Sequence, residues 1–388
     1  MSEHSRTSSK FADVDDTQET RSGAEERIEI RDESEHRSDD VQRHSSRIWE
    51  RFCMPAEWEP HEATWISWPH PDGISFPGHY KEVIPTFVEM ARAIGASEIL
   101  RINVRDAAQE AEVKKLLDAQ LPPEHLEFYH ISTQEPWCRD HGPIFARNEK
   151  TKDLTILDFG YNAWGEKYRP FDLDDKVPSL IADFLNLPRV EPGIVLEGGS
   201  IDVNGAGTLL TTEACLLNPN RNPNFSRDDL EKILKKFLGV SQILWLGDGI
   251  EGDDTDGHID DITRFVNQDT VVTVVEKNSA DPNHAILENN LKRLRAMKLV
   301  DGRPLNIIEL PMPPRIERED QRLPASHANF YITNYSVLLP VFGGASDQAA
   351  KGILADLFPT RTIVPIDCRE LIWGLGAFHC LTQQMPAL

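Results

Sequence analysis

One pattern recurs five times along this chain and restricts its fold more than any other feature. In each case a hydrophobic strand ends at a glycine-rich or acidic turn, and a second strand follows. The separations are roughly 50–70 residues, the range in which repeated supersecondary units form propellers or solenoids. Paired strands at each turn argue against the competing architecture, a doubly wound sheet built by β-α-β winding alone. The five segments are 137–145, 194–210, 243–275, 307–339 and 362–380.

Apolar residues at helical spacing predict helices between several of these segments. The predicted helices are 80–94, 107–119, 173–185, 227–237, 285–297 and 347–357. The predicted strands with the clearest bounds are 63–69, 98–104, 331–341 and 362–366. The sequence therefore predicts one α/β domain of repeated units over residues 48–388.

Residues 1–47 differ in composition from the rest of the chain. They are rich in Ser, Glu, Asp, Arg and His and contain few large apolar side chains. Such a segment cannot bury enough surface to offset the entropy lost on ordering. We expect a disordered arm, with a solvated leader favoured over a tail that binds a partner.

Composition argues against several classes of partner. The formal net charge of -23 argues against nucleic acid and suits a small cationic substrate. No apolar run approaches the roughly 18 residues of a membrane span, and the first residues contain no signal-peptide core. The 5 cysteines are scattered without a C-x-x-C pair, so neither a zinc cluster nor a disulfide framework is indicated. A reducing, cytoplasmic location is expected.

The turns of successive units contain chemically reactive side chains at equivalent places. Acids, an imidazole, an amide and a thiol follow one another along the chain. If the units surround an axis, these groups converge on one space. They are Asp140, Glu197, His258 with Asp260, Asn329 and Cys380.

The last turn contains a lone cysteine in the run Gly-Leu-Gly-Ala-Phe-His-Cys at 374–380. Gly374 and Gly376 permit either a close approach of the backbone to a ligand or a positive φ. Cys380 is then a small buried hydrophobe or a nucleophile. This segment alone favours the hydrophobe, whereas the other turns favour the nucleophile.

The first two turns each have two interpretations. Asp140 is either a turn-capping acid paired with Arg139, or a carboxylate fixed to bind a cation beside the aromatic wall of Trp137. Glu197 lies between apolar residues and two glycines, and a buried glutamate needs a partner. An internal ion pair and an active-site acid are equally supported for it.

The densest polar cluster is at residues 252–261. A calcium loop of the EF-hand type fails, because Gly252 and Thr263 fall where carboxylates are required. Metal binding by His258 and Asp260, which would share one face of a strand, has no further ligand to complete a set. The remaining interpretation is a general acid–base imidazole beside a positioning carboxylate.

Combined, these groups suit the hydrolysis of a guanidinium. Asp140 and Asp260 would hold its nitrogens by bidentate hydrogen bonds and present its carbon to a thiolate on Cys380. His258 would protonate the leaving ammonia and then accept a proton from water. The cationic substrate and His258 would favour the thiolate. Asn329 would line the same space, and neither a metal nor an organic cofactor is needed.

Four motifs in order, Trp-x-Arg-Asp-x-Gly-Pro, Leu-Glu-Gly-Gly-Ser, Thr-Asp-Gly-His-Ile-Asp and Gly-x-Gly-x-x-His-Cys-x-Thr-Gln-Gln, resemble the agmatine deiminase and Porphyromonas-type peptidylarginine deiminase family over residues 54–386. The resemblance implies the five-bladed α/β propeller of pentein enzymes. It also implies hydrolysis of agmatine to N-carbamoylputrescine and ammonia in putrescine and polyamine biosynthesis, without calcium. The alternative is deimination of peptidyl-arginine to citrulline. A homo-oligomer is also implied.

The resemblance assigns a role to each turn residue. It implies Cys380 as nucleophile, His258 as acid–base and Asp140 with Asp260 as guanidinium ligands. Glu197 would be a further active-site carboxylate.

The chain also departs from the family pattern. Leu375, Ala377 and Phe378 replace the Gly, Asn and Ile found in many agmatine deiminases, which predicts a changed wall beside the nucleophile. Asp254 would either hold the distal amine of agmatine or face solvent in a loop. No basic residues can be matched to those that grip a peptide's terminal carboxylate.

Two other functions remain open at this level. An amidinotransferase would use the same chemistry with an amine in place of water. A catalytically inactive propeller that only binds cations would have no use for the thiol of Cys380 facing the imidazole of His258. This pairing favours an enzyme.

Overall fold

The structure is a computed structural model of the chain and describes residues 52–117, 121–148 and 153–388. The predicted arm at residues 1–47 lies outside the described residues, as does the end of the predicted helix 107–119. The predicted start of the domain at residue 48 lies there too, so this boundary stays a prediction.

Nineteen strands occur in the described part of the chain. Those in the middle of the sheets are rich in β-branched residues, as in the run Thr-Val-Val-Thr-Val-Val of β12, which favours extended backbone. In chain order the strands are β1 (Phe52–Cys53), β2 (His61–Ser67), β3 (Ile99–Val104), β4 (Leu126–His130), β5 (Ile144–Asn148), β6 (Leu154–Leu157), β7 (Arg189–Val190), β8 (Asp202–Val203), β9 (Thr208–Thr212), β10 (Gln242–Leu246), β11 (Thr263–Phe265), β12 (Thr270–Val275), β13 (Asn306–Pro311), β14 (Glu317–Arg318), β15 (Gln321–Arg322), β16 (Tyr331–Ile332), β17 (Ser336–Val341), β18 (Thr362–Asp367) and β19 (Thr382–Pro386).

Long helices connect the strands, and several single helical turns directly precede a strand. The helices are α1 (Tyr80–Gly95), α2 (Ala107–Leu117), α3 (Cys138–His141), α4 (Val177–Leu185), α5 (Glu213–Leu216), α6 (Arg227–Leu238), α7 (Pro282–Ala296), α8 (Ala345–Leu357) and α9 (Phe378–Leu381). The 3-10 turns are Pro123–His125, Asp174–Lys176, Gly198–Ser200, Ile259–Asp261 and Leu371–Gly374. The turn Ala163–Glu166 has left-handed backbone.

Five sheets of three or four strands each combine an antiparallel with a parallel pairing. In one of them β11 runs antiparallel to β12, and β12 runs parallel to β13 with Val271 opposite Ile307. α7 joins the two parallel strands, because a parallel pair needs a long crossover. This is the predicted unit of strand, turn, strand and helix. The strand orders are β1-β5-β6-β7, β10-β9-β8, β11-β12-β13, β16-β17-β18 and β19-β2-β3-β4, and β14 pairs with β15 as a separate hairpin.

Two predicted strands are wrong in detail. The strand predicted at 331–341 is the antiparallel pair β16 and β17, because Thr333 closes a turn between them by donating its amide to the Ser336 carbonyl at 2.8 Å. His258 and Asp260 lie not on a strand but at the 3-10 turn Ile259–Asp261, in which the Ile262 amide donates to the Ile259 carbonyl at 3.0 Å. The shared strand face predicted for these two residues therefore does not exist.

Helix starts follow local capping rules that the apolar spacing could not locate. α7 begins three residues earlier than predicted, because the Asp281 side chain accepts from the Asn283 amide and Pro282 occupies the first helical position. The helix predicted at 173–185 begins only at Val177, after the 3-10 turn Asp174–Lys176.

The helices bury their apolar faces against the sheets. α1 contacts β3 and β18, and its residues Val83, Phe87 and Ile94 are fully buried there. The helices therefore cover the sheets, while the short turns before the first strands are left to meet one another. Within the described ranges, no helix is long and apolar enough to cross a membrane.

Candidate active site

Four short turns pack against one another at one place: α3, α9 and the 3-10 turns Gly198–Ser200 and Ile259–Asp261. Each directly precedes a strand of a different sheet, namely β5, β19, β8 and β11. Asn329 precedes β16 and joins them, because its side-chain oxygen accepts from the His379 amide at 3.1 Å. The five sheets thus bring together turns that are far apart in sequence.

A cavity opens over the sulfur of Cys380, and the predicted site residues divide into two groups around it. The residues on its wall are Trp137, Asp140, Asp254, Gly374, Gly376 and Cys380. The residues that are buried next to the cavity without lining it are Glu197, His258, Asp260 and Asn329. Sequence reasoning missed Glu135, Trp164 and Tyr168 on the wall.

Cys380 is held by polar groups rather than sealed in hydrocarbon. Its sulfur accepts from the Asn329 amide nitrogen at 3.0 Å and lies 3.6 Å from Asp260 Oδ2. Burial, followed by the carboxylates of Asp260 and Asp261, raises the pKa of the Cys380 thiol well above its ordinary value. Without a ligand the sulfur is therefore protonated at neutral pH.

His258 is fully buried close to the carboxylates of Asp140 and Asp260. Neither ring nitrogen has a hydrogen-bond partner among the described residues, and Nδ1 lies 3.7 Å from Asp140 Oδ1. Burial disfavours the imidazolium, but the carboxylate of Asp140, then the Cys215 side chain and the carboxylate of Asp260, outweigh it and raise the pKa of His258 well above its ordinary value. An imidazolium at this position can donate a proton.

A glycine is required at position 199, where the side chains of His258 and Asp140 approach the backbone. In the sequence, only the run Glu-Gly-Gly at 197–199 marks this position. A Cβ there would lie 2.6 Å from His258 Nδ1 and 2.8 Å from Asp140 Oδ1. Its amide donates to Asp140 Oδ1 at 3.0 Å. A glycine therefore permits the backbone to bind the carboxylate without displacing the imidazole.

Asp140 is not paired with Arg139, so the turn-capping interpretation is wrong. The Arg139 guanidinium instead donates to the His379 carbonyl at 3.2 Å and to Gln384 at 2.7 Å. Asp140 accepts from Gly199 and from the indole of Trp164, at 2.9 Å. Burial, partly offset by His258, raises the pKa of Asp140 to about 6.

Trp164 reaches Asp140 through an uncommon backbone turn. The residues Ala163, Trp164, Gly165 and Glu166 have φ values of 50°, 54°, 90° and 63°. Left-handed backbone costs roughly 1–2 kcal/mol for a residue with a Cβ, and it persists only where the surrounding structure enforces it. The Asn162 side chain does so by accepting from the Gly165 amide at 2.9 Å. No local sequence signal predicts this turn.

Glu197 forms the internal ion pair that was one of its two interpretations. Arg221, which sequence analysis did not single out, donates from Nε to Glu197 Oε1 at 2.7 Å, and both side chains are fully buried. The other carboxylate oxygen, Oε2, has no partner among the residues described. Glu197 therefore combines a structural contact with one free acceptor beside His258.

Asp260 is oriented by a histidine whose role was not recognised from sequence. His379 places Nδ1 2.7 Å from Asp260 Oδ2 and Nε2 2.9 Å from Glu57 Oε2. Asp260 Oδ1 has no partner in the described part of the chain. Burial would raise the pKa of Asp260, but His379 and His258 lower it below its ordinary value, so Asp260 is an anion with one free oxygen.

Asp254 lies at the cavity wall and not in a solvent-facing loop. Its carboxylate accepts a hydrogen bond from the Tyr168 hydroxyl. Burial raises the pKa of Asp254, partly offset by Tyr168. Asp254 therefore lines the same cavity as Cys380.

The two glycines before the nucleophile serve close packing, and neither has a positive φ. A Cβ on Gly376 would lie 2.7 Å from the Trp137 ring and 3.0 Å from Cys380 Cβ, and one on Gly374 would lie 2.5 Å from the Phe76 ring. The left-handed residue is Leu375, with φ 70°.

Of the three departures from the family pattern, one changes the cavity. Leu375 lines it, whereas Ala377 and Phe378 are buried in the apolar core. The changed wall beside the nucleophile that was predicted for all three is therefore wrong for Ala377 and Phe378.

Comparisons with known proteins identify a family and relatives of this chain. The model of the Porphyromonas-type peptidyl-arginine deiminase family matches residues 53–386. The agmatine deiminase of Ectopseudomonas mendocina is 35% identical over 360 residues, which cover 87% of this chain and 96% of that protein. The agmatine deiminase of Pseudomonas aeruginosa is 36% identical with the same coverage.

A solved structure shares the fold. The agmatine deiminase of Enterococcus faecalis superposes with a TM-score of 0.81 at 33% identity, covering 87% of this chain and 96% of that one. The predicted α/β class and the family resemblance are both confirmed. This chain belongs to the Porphyromonas-type peptidyl-arginine deiminase family.

Proposed function

We propose that this protein hydrolyses agmatine to N-carbamoylputrescine and ammonia through a covalent amidino-cysteine. The observation that carries the proposal is the thiol of Cys380 on the wall of an acidic cavity, with Asp140 on the same wall. The free oxygen of Asp260 and the unpaired imidazole of His258 support it. The agmatine deiminases named above support the choice of substrate.

The charge of the cavity favours agmatine over free arginine. Its wall contains the carboxylates of Glu135, Asp140 and Asp254, and no lysine or arginine among the lining residues that the structure describes. Agmatine has a cation at each end, which suits this field. Arginine would bring a carboxylate with no partner, and an unpaired charge binds weakly.

Each end of agmatine has its own acids. Asp140 and Asp260 hold the guanidinium beside the face of Trp137. Asp254 holds the distal ammonium, because Glu135 already accepts from the Ile74 and Ser75 amides at 2.7 and 3.0 Å.

Substrate binding activates the thiol in this proposal. The guanidinium places positive charge among the carboxylates that raise the pKa of Cys380, so that pKa falls and the thiolate forms. Alkylation of Cys380 over a pH series, with and without a bound guanidino compound, tests this step. We expect a lower apparent pKa with the ligand, and an unchanged value would contradict it.

The reaction then proceeds in two halves. The Cys380 sulfur bonds to the guanidinium carbon, and the bond from that carbon to a terminal nitrogen breaks as ammonia leaves with a proton from His258. The neutral imidazole next takes a proton from water while the water oxygen bonds to the amidino carbon. The carbon–sulfur bond breaks and restores the thiolate, the hydroxyl on that carbon releases its proton to solvent, and the neutral ureido product leaves.

An assay for ammonia and ureido product from agmatine tests the function. We expect turnover by the wild type and by Cys368→Ala, a matched control that removes a fully buried thiol elsewhere. Cys380→Ala should release no ammonia. Unchanged release by Cys380→Ala would refute the covalent mechanism, and no release by the wild type would refute the hydrolase.

Deimination of peptidyl-arginine is the second candidate, and the family description favours it. A kinetic comparison of agmatine with an arginyl peptide separates the two. We expect kcat/KM to favour agmatine, and to fall toward the peptide value in Asp254→Asn. A peptide preference in the wild type would assign the second function.

The five sheets with a shared order of pairings also support a five-bladed propeller around the site. An experimental structure with the five sheets placed around one axis would bear this out, and an open row of sheets would refute it.

A further inference from the structure

We propose that Glu197, Cys215 and His258 form an inhibitory site for a divalent cation that binds thiolates, such as Zn²⁺. One ligand atom from each residue lies within 4.8 Å of the others, and all three residues are buried. Glu197 Oε2 and both nitrogens of His258 lack hydrogen-bond partners within the described ranges. Three lone-pair donors of different chemistry therefore share one small space.

The donor set fits zinc better than calcium or magnesium. Zinc binds Cys sulfur at about 2.3 Å, His nitrogen at about 2.0–2.1 Å and carboxylate oxygen at about 2.0–2.2 Å, commonly with tetrahedral geometry. Ligand atoms bound in this way lie about 3.3–3.7 Å apart, so the cluster must contract by no more than about 1.5 Å. Calcium and magnesium prefer oxygen ligands alone.

The cluster is held by bonds outside it. The Cys215 amide donates to Thr212 Oγ1 at 3.2 Å, and the same hydroxyl donates to the carbonyl of Gly257 at 2.5 Å, next to His258. Glu197 is fixed by Arg221 through its other oxygen. Backbone and ion-pair contacts therefore position all three ligands before an ion arrives, which reduces the ordering that binding requires.

Charge and protons balance on binding. Zn²⁺ forms a bond to the Cys215 sulfur and displaces its proton to solvent. It binds His258 as the neutral imidazole, so the imidazolium releases a second proton to solvent. The two positive charges of Zn²⁺ are then balanced by the Cys215 thiolate and the Glu197 carboxylate. Arg221 keeps its hydrogen bond to the other oxygen of Glu197.

A bound ion would remove the proton donor of the reaction. The inhibition rests on the proposed function of His258, whereas the binding of the ion does not. Cys380 is not part of the cluster. An ion at this site can therefore be distinguished from one that simply captures the nucleophile.

Binding of Zn²⁺ to the full chain, by equilibrium dialysis after chelator treatment, tests the site without relying on activity. Absorption of bound Co²⁺ reports a thiolate ligand. We expect one ion for the wild type, for Cys380→Ala and for the control Cys368→Ala. Cys215→Ala should bind about tenfold or more weakly. Cys215→Ser serves as a second variant, since its hydroxyl is a poor zinc ligand, and thermal melting checks that each variant is folded.

Activity supplies the second measurement. Zn²⁺ should inhibit the wild type reversibly, with recovery after a chelator, and inhibit Cys215→Ala about tenfold or more weakly, with each protein compared with its own rate in the absence of zinc. Equal binding by the wild type and both Cys215 variants, or loss of binding in Cys380→Ala, would overturn the proposal. A wild type that turns over agmatine but binds no zinc refutes this site alone. Zinc binding without turnover refutes only the proposed function.

Discussion

His379 joins two groups of buried charges that differ in how fully their polar atoms are paired. The Glu57 network consists of Glu57, Arg139, Arg264 and His379. The His258 cluster consists of Asp140, Glu197, His258 and Asp260. Both carboxylate oxygens of Glu57 are used, by the Arg264 guanidinium at 2.7 Å and the Ile332 amide at 2.8 Å. The His258 cluster leaves four buried polar atoms without a hydrogen-bond partner among the described residues, namely Glu197 Oε2, Asp260 Oδ1 and both imidazole nitrogens, whereas the Glu57 network leaves one, Arg139 Nη2.

The difference separates structural charges from functional ones. An unsatisfied buried polar group costs about 1–3 kcal/mol, so most such groups in native proteins are paired. Free polar atoms that persist beside a cavity indicate a place where a ligand completes the bonding. Burial alone could not make this distinction, because the side chains of both groups are almost fully enclosed.

Replacement of the nucleophile should have the largest effect. Cys380→Ser should lower kcat by at least about 10³-fold, because the hydroxyl is a far weaker nucleophile in a site without a strong base. Binding of agmatine, measured by calorimetry, should persist. A variant that keeps wild-type turnover would remove Cys380 from the chemistry.

Disruption of the Glu57 network should affect stability more than the chemistry. Glu57→Gln should lower the free energy of unfolding by about 3–5 kcal/mol, because Arg264 and His379 lose the charge that compensates them. Denaturant titration measures the loss. An unchanged free energy of unfolding would mean that the Glu57 network does not stabilise the fold, contrary to the comparison with the His258 cluster.

The same type of change in the His258 cluster should act in the opposite way. Asp140→Asn should lower kcat/KM about 10- to 100-fold, because one charge-assisted hydrogen bond to the guanidinium is lost. Its free energy of unfolding at neutral pH should not fall, because burial disfavours the charged form of Asp140, as the raised pKa of that carboxyl shows. Stability loss like that of Glu57→Gln, with full activity, would contradict the comparison.

The pH dependence of stability should show the raised pKa of Asp140. Burial raises that pKa from 3.8 to about 6, so the folded protein keeps a proton that the unfolded chain has released. The raised pKa of Asp140 contributes up to about 3 kcal/mol to the free energy of unfolding. This contribution is complete below about pH 4 and is lost as the pH rises through about 6.

The asparagine in Asp140→Asn does not titrate, so this variant keeps its free energy of unfolding where the wild type loses it. The difference in free energy of unfolding, variant minus wild type, should therefore increase from about pH 4 to about pH 7. Unfolding titrations of both proteins across this range measure the difference. A difference that does not vary with pH would show that Asp140 titrates normally.

The smallest expected effect concerns the orientation of Asp140. Trp164→Phe removes the indole donor to Asp140 Oδ2 and should lower kcat/KM about 2- to 10-fold. Trp245→Phe is the matched control, because its indole donates at the same 2.9 Å to Glu231, away from the cavity. Equal effects of the two changes would show that the indole bond has no specific role in the site.

Much of the site was predictable because its reactive residues lie in short motifs at turns. Asp140, His258 and Cys380 each lie at a short turn that precedes a strand, with a glycine within four residues, and both signals are local. Their supporting partners gave no such signal. His379 and Glu57 are 322 positions apart, and only the fold brings them within 2.9 Å. Trp164 depends on a left-handed turn that local propensity disfavours.

The α/β class, the repeated strand–turn–strand units and the types of chemical group at each turn follow from the amino-acid sequence alone. Periodicity and turn residues act over a few positions, so they can be read without the fold. Three pairings of the site become visible only in the packed fold: Arg139 binds Gln384 and not Asp140, Arg221 binds Glu197, and Cys215 lies beside His258. These pairings depend on how separate sheets meet, because desolvated charges take whichever partner the packed fold places within reach.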